Sequence, residues 1–92
     1  MARIWYRTKD GLADYEFDFH HTWRSDEFRI YIDSQPSYGS RDTSLRATHR
    51  LPDGDRYYIC WTTPITSEED ARQVSALWAD KTQEYIKTGR RF

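Results

Sequence analysis

Between residues 66 and 89 the apolar positions recur at helical spacing. Ala71, Val74, Trp78 and Tyr85 fall on one stripe, flanked by Leu77 and Ile86, while Arg72, Gln73, Asp80, Glu84 and Lys87 take the other side. Thr66 stands three residues before Glu69, the spacing of a capping box. Glu68, Glu69 and Asp70 put negative charge at the positive end of the helix dipole, and Gly89 follows Lys87-Thr88 as a C-terminal stop. The pattern predicts a helix over residues 67–88.

Upstream of residue 66 the period shortens to two, the signature of strands. Residues 2–8 form a short run of aromatic and β-compatible side chains, closed by the turn signal Asp10-Gly11. Tyr15, Phe17 and Phe19 alternate with Asp14, Glu16 and Asp18. Phe28, Ile30 and Ile32 alternate with Arg29, Tyr31 and Asp33, and Leu45, Ala47, His49 and Leu51 with Arg46, Thr48 and Arg50. Residues 51–55 read as a hairpin loop, and residues 57–62, apolar on both faces, as a central strand. The stretch 34–42 is the longest loop and is expected to be flexible. The order β-β-β-β-β-α predicts an α+β fold: a roughly five-stranded antiparallel meander sheet with one C-terminal amphipathic helix packed on one face.

A single helix covers a single face. The expected core is Ile4, Tyr6, Tyr15, Phe17, Phe19, Phe28, Ile30, Ile32, Ile59 and Trp61, packed on Val74, Leu77, Trp78 and Tyr85. The opposite face would carry Arg3, Trp5 and Arg7, then Glu16 and Asp18, then Arg29, Tyr31 and Asp33, then Arg46, Thr48 and Arg50, then Tyr58 and Cys60. Basic and acidic strands alternate there. One reading is a lattice of cross-strand charge pairs, each contributing roughly 0.2–1 kcal/mol. The other is a binding surface, because Trp, Tyr and Arg dominate interface hot spots.

Composition explains how so polar a chain folds. The 92 residues suit one domain, with 32% charged residues and 16% aromatic ones, and the mean hydropathy is −1.00. Each aromatic ring buries roughly 150–250 Å², so few are needed. The formal net charge of −1 lacks the basic excess of a dedicated duplex-DNA binder. Arg outnumbers Lys eleven to three, which suits bidentate pairing and stacking. The single cysteine, Cys60, excludes an internal disulfide framework. With no signal-peptide pattern at residues 1–9 and no run of about 20 apolar residues, the chain reads as a soluble, cytoplasmic protein without a membrane segment.

Candidate chemistry is sparse. His20-His21 are adjacent and would point to opposite faces of a strand, and no paired spacing of zinc ligands occurs, so neither a metal nor a cofactor is expected. Same-face acids such as Glu16 and Asp18 read as the solvent side of a strand. No glycine-rich phosphate loop is present. The leading expectation is a small non-enzymatic protein–protein interaction module, of the adaptor or inhibitor type found in phages and mobile elements. It would bind an unidentified protein partner through Trp5, Arg29, Tyr31, Arg46, Arg50 and Tyr58. An alternative is single-stranded nucleic-acid binding through the same face, by base stacking and phosphate contacts, with Glu16, Asp18 and Asp33 opposing it. A third is a small enzyme using Cys60 and His49. An unpaired edge strand would also permit a homodimer.

Overall fold

A computed structural model describes residues 2–92. Three strands open the fold: β1 (Ala2–Arg7), β2 (Asp14–Thr22) and β3 (Glu27–Ser34). A one-turn helix α1 (Leu45–Thr48), strands β4 (Arg50–Asp53) and β5 (Arg56–Ile59), and the long helix α2 (Glu68–Thr88) follow. The five strands form one antiparallel sheet, and α2 lies over β2 and β3. The expected α+β class is therefore what the chain adopts.

The strand order is β1-β2-β3-β5-β4, so the meander ends after β3. The cause is local. Residues 45–48 wind into a helical turn instead of starting a strand: the Ser44 side chain accepts from the Ala47 N–H, and His49 closes the turn with φ 53°. Ala47 and Thr48 are both buried within this turn. The turn carries the chain to the far edge, where β4 begins at Arg50. Gly54, with φ 63°, and Asp55 then reverse it so that β5 fills the gap beside β3. β5 stops at Ile59, short of the strand expected to reach Thr62.

The helix starts one residue later than expected. Ser67, not Thr66, is its cap, with its hydroxyl accepting from the Asp70 N–H at 3.0 Å. It ends where Gly89 adopts φ 79° and donates to the Tyr85 carbonyl. Its buried positions are Ala71, Val74, Ser75, Trp78, Ala79, Thr82, Gln83 and Tyr85. Trp78 meets Tyr15 and Phe17 edge-on, with centroids 6.0 and 6.1 Å away, and its Nε1–H donates to the Thr48 carbonyl at 3.1 Å. Phe19, Ile30, Ile59 and Ile65 complete this core, with Ile4, Tyr6, Phe28 and Ile32 at its margin. Trp61 and Leu77, both expected inside, lie at the surface.

The 34–42 loop is packed rather than free. Tyr38 joins Ala47 and Tyr85 in a second small core, Tyr85 Oη donates to the Asp42 carbonyl, and Arg41 donates to the last carbonyls of α2, at Ile86 and Lys87. These contacts satisfy acceptors that a helix end otherwise leaves open.

At the other margin Tyr6 Oη donates to Asp80 Oδ2 at 2.7 Å, joining β1 to α2. Burial, and next the hydrogen bond to Asp80, push the Tyr6 phenol from 10.0 up to about 12. Burial pushes Tyr15 up as well. Between those two pH values the folded chain holds a proton that the unfolded chain has lost, so stability is complete below pH 10 and falls as pH rises toward 12. Tyr6→Phe should flatten part of that fall in urea denaturation across the alkaline range. A slope identical to that of the parent protein would remove Tyr6 as a cause.

Candidate functional site

The register assigns the open face, opposite α2, residue by residue. Arg3, Trp5 and Arg7 of β1 stand opposite Asp18, Glu16 and Asp14 of β2. Asp18 stands opposite Tyr31 of β3, and Tyr31 opposite Tyr58 of β5. Arginines and aspartates interleave in space as well as in sequence. Arg7 holds Asp14 through two bonds of 2.9 Å, which draws the Asp14 carboxyl below its usual range. Arg56 Nη2 donates to Asp33 at 2.8 Å and to Asp18 at 3.2 Å. Arg29 lies 3.6 Å from Asp53.

The aromatic rings on this face are tied into the same network. Tyr31 is only 7% exposed, donates to Asp53 Oδ2 at 2.6 Å, and lies under the Arg56 guanidinium at 4.0 Å. Arg29 covers the Tyr58 ring at 4.2 Å. Trp5, at 63% exposure, stays open to solvent.

Four of the six residues expected to form the site, Trp5, Arg29, Tyr31 and Tyr58, thus share one face. The other two do not. Arg46 sits exposed on α1, off the sheet. Arg50 pairs with Ile59, a core residue, and so projects to the helix side, where its guanidinium stacks on Tyr57 at 3.8 Å and Tyr38 at 4.9 Å. Thr48, also expected outside, is fully buried. The misplacements share the α1 turn: Arg46 and Thr48 lie within it instead of on a strand, and its left-handed cap His49 resets the phase in which Arg50 enters β4.

A second surface lies beside the helix, past the end of β5. Trp61 (41% exposed), Leu77 (45%) and Phe92 (36%) surround a groove of about 390 Å³ that reaches down to Trp78. His49, Cys60 and Lys81 also line it. Lys81 has no ion-pair partner among the described residues, and neither Asp nor Glu is in the lining. The groove brings together Cys60 and His49, whose backbones are bonded, Cys60 N–H to His49 O, at 2.8 Å. The His49 ring packs on Phe92 with centroids 4.5 Å apart, and its Nε2 is hydrogen-bonded to the Phe92 backbone oxygen.

The expectation of a last strand running to residue 62 put Trp61 inside and Cys60 on the open face, and Leu77 was expected inside as a flank of the helix stripe. Two signals argue otherwise. Pro64 has no N–H to give to a neighbouring strand, so a ladder has to stop before it. Leu77 stands about 100° around the helix from Trp78, off the buried stripe. His20 and His21 do diverge: His20 meets Tyr31 on the open face, whereas His21 stacks on Phe28 and pairs with Asp26.

Comparison with family models, with curated proteins and with solved structures finds no match to this chain.

Asp18 is 4% exposed and depends on Arg56. Arg56→Met should leave that carboxylate buried without its cation and destabilise the fold by about 2 kcal/mol, below the 3–5 kcal/mol of a fully buried pair because Arg56 is part-exposed. Adding Asp18→Asn should restore most of the loss. A double-mutant cycle by chemical denaturation measures both, and additive losses would refute the coupling.

Proposed function

We propose that this protein is a non-enzymatic interaction module that seats a segment of a partner protein in the Trp61–Leu77–Phe92 groove. One observation carries the reading: three large apolar side chains stand exposed together around a groove lined by Lys81, which has no ion-pair partner among the described residues, and by neither Asp nor Glu. Contiguous exposed apolar surface on a small domain marks a contact site more often than chance. The charge selects the occupant. A large aliphatic or aromatic side chain fills the groove, and a neighbouring carboxylate meets Lys81.

The groove, and not the sheet face expected from the sequence, is then the contact surface. On the sheet face the arginines already have carboxylate partners, and Tyr31 and Tyr58 already have cations over their rings. A nucleic acid using that face would have to displace those intramolecular pairs. The groove presents no such competition.

Selection of a random peptide display library on the immobilised protein tests the reading. Enriched peptides should share a large apolar residue next to Asp or Glu. Leu77→Gln, exposed and on a helix that accepts Gln, should leave folding nearly unchanged. It should weaken those peptides by about tenfold or more, the equivalent of the roughly 1.5–3 kcal/mol for burying a leucine. Lys81→Glu should turn the selection against acidic neighbours. Peptides that bind Leu77→Gln as well as the parent protein, or that enrich basic residues, would overturn the assignment.

A further inference from the structure

The two edges of the sheet differ. β4 is four residues long and contains Pro52, which has no N–H to offer, so it is a poor template for another strand. β1 runs six residues, Ala2–Arg7, without proline, glycine or bulge. It has a strand on one side only, which leaves one row of backbone N–H and C=O groups unpaired by the sheet. Helix α2 lies over β2 and β3 and leaves Ile4 and Tyr6 half-covered on the inner side. On the outer side Trp5 is largely exposed, and the Arg3 side chain, 73% exposed, reaches Asp33 only at 4.0 Å. This edge therefore has incomplete cover on both faces and along its backbone.

We propose that β1 pairs antiparallel with β1 of a second copy, about a two-fold axis at Ile4, extending the two sheets into one. The register follows from charge. Residues directly opposite across an antiparallel pair share a face, so a two-fold pairing joins odd positions to odd and even to even. Centring on Trp5 sets Arg3 against Arg7 twice, and centring on Arg3 sets it against itself. Like charges directly opposite destabilise a strand pair. Centring on Tyr6 pairs only residues 5–7 of each strand and opposes Trp5 to Arg7, which already holds Asp14. Centring on Ile4 avoids all of these: Ile4 meets Ile4, Ala2 meets Tyr6, and Arg3 meets Trp5 on both arms.

The chemistry of that last pair suits the state of the two side chains. Arg3 is a cation with one distant partner, Trp5 an exposed indole, and a guanidinium over an indole face is a favourable contact. The inner side gains as well, because Ile4 of each copy covers the flank that α2 leaves open. The surface is separate from the groove, so either assignment stands or falls without the other.

Cysteine placement reads the register directly. With Cys60→Ser removing the native thiol, Ile4→Cys should cross-link to a covalent dimer under mild oxidation, while Trp5→Cys and Tyr6→Cys in the same background stay mostly monomeric. Circular dichroism confirms that each variant is folded. Without any cysteine engineering, sedimentation velocity should show concentration-dependent dimerisation that Arg3→Glu weakens several-fold, since it sets a carboxylate against the Trp5 face. Three results would overturn the proposal: a parent protein that stays monomeric at every concentration, preferential cross-linking at position 5 or 6, or a dimer that Arg3→Glu strengthens, as a register opposing Arg3 to Arg7 requires.

Discussion

Trp78 is the side chain on which the rest of this fold depends. It touches the sheet through Tyr15 and Phe17 and reaches the Thr48 carbonyl with its indole N–H. One residue thus joins α2, β2 and α1. Burying an indole contributes about 4–6 kcal/mol of gross transfer free energy, from its area and about 25 cal/mol per Å². In a chain of this length that is comparable to the whole net stability of an ordinary domain. The hydrogen bond adds direction: a hydrophobic contact alone would not fix where the α1 turn sits, whereas the indole N–H must find an acceptor once buried.

The strand order follows from that constraint. With α1 held by Trp78 beneath the helix, the chain enters β4 from the far edge and returns through β5. The second core of Tyr38, Ala47 and Tyr85 secures the same connection from the other side, and Arg41 ties it to the last turn of α2. Thr48 and Ser75 are completely buried within this region, and both hydroxyls donate to carbonyls four residues back. A thin core tolerates such polar groups because each is satisfied locally.

The elements with long, uniform periodicity were legible in the sequence. The alternation of Tyr15, Phe17 and Phe19, and of Phe28, Ile30 and Ile32, gave both the strands and their inward face, since every second residue had to be covered. The helix and its glycine stop were equally plain. Residues 45–51 were not. Over so short a window, Leu45, Ala47, His49 and Leu51 alternate like a strand, while the capping Ser44 makes a helical turn equally available. What decides between them is the long-range contact from Trp78, which no local pattern encodes. The candidate sites divide the same way. Trp5, Arg29, Tyr31 and Tyr58 lie where period two puts them, whereas Arg46 and Arg50 follow the misread turn, and the groove lies where a strand was extended past its end.

Pairing, rather than composition, separates a charged surface that recognises something from one that holds itself together. On the open face Arg3, Arg7, Arg29 and Arg56 are matched by Asp14, Asp18, Asp33 and Asp53, and Glu16 tips the balance to the acidic side. Such a face has little net field, and any anion approaching it competes with carboxylates already in place. The aromatic rings there follow the same logic, because a tyrosine under a guanidinium has already used the face that a base or a partner cation would need. Unspent capacity collects instead where regular pairing stops: at the end of β5, where Trp61 leaves the sheet beside Leu77 and Lys81, and along β1, where the sheet has no further strand to add. In a fold of five strands, one long helix and a one-turn helix, these terminations are where apolar area stays exposed, and both proposed contacts rest on that exposure.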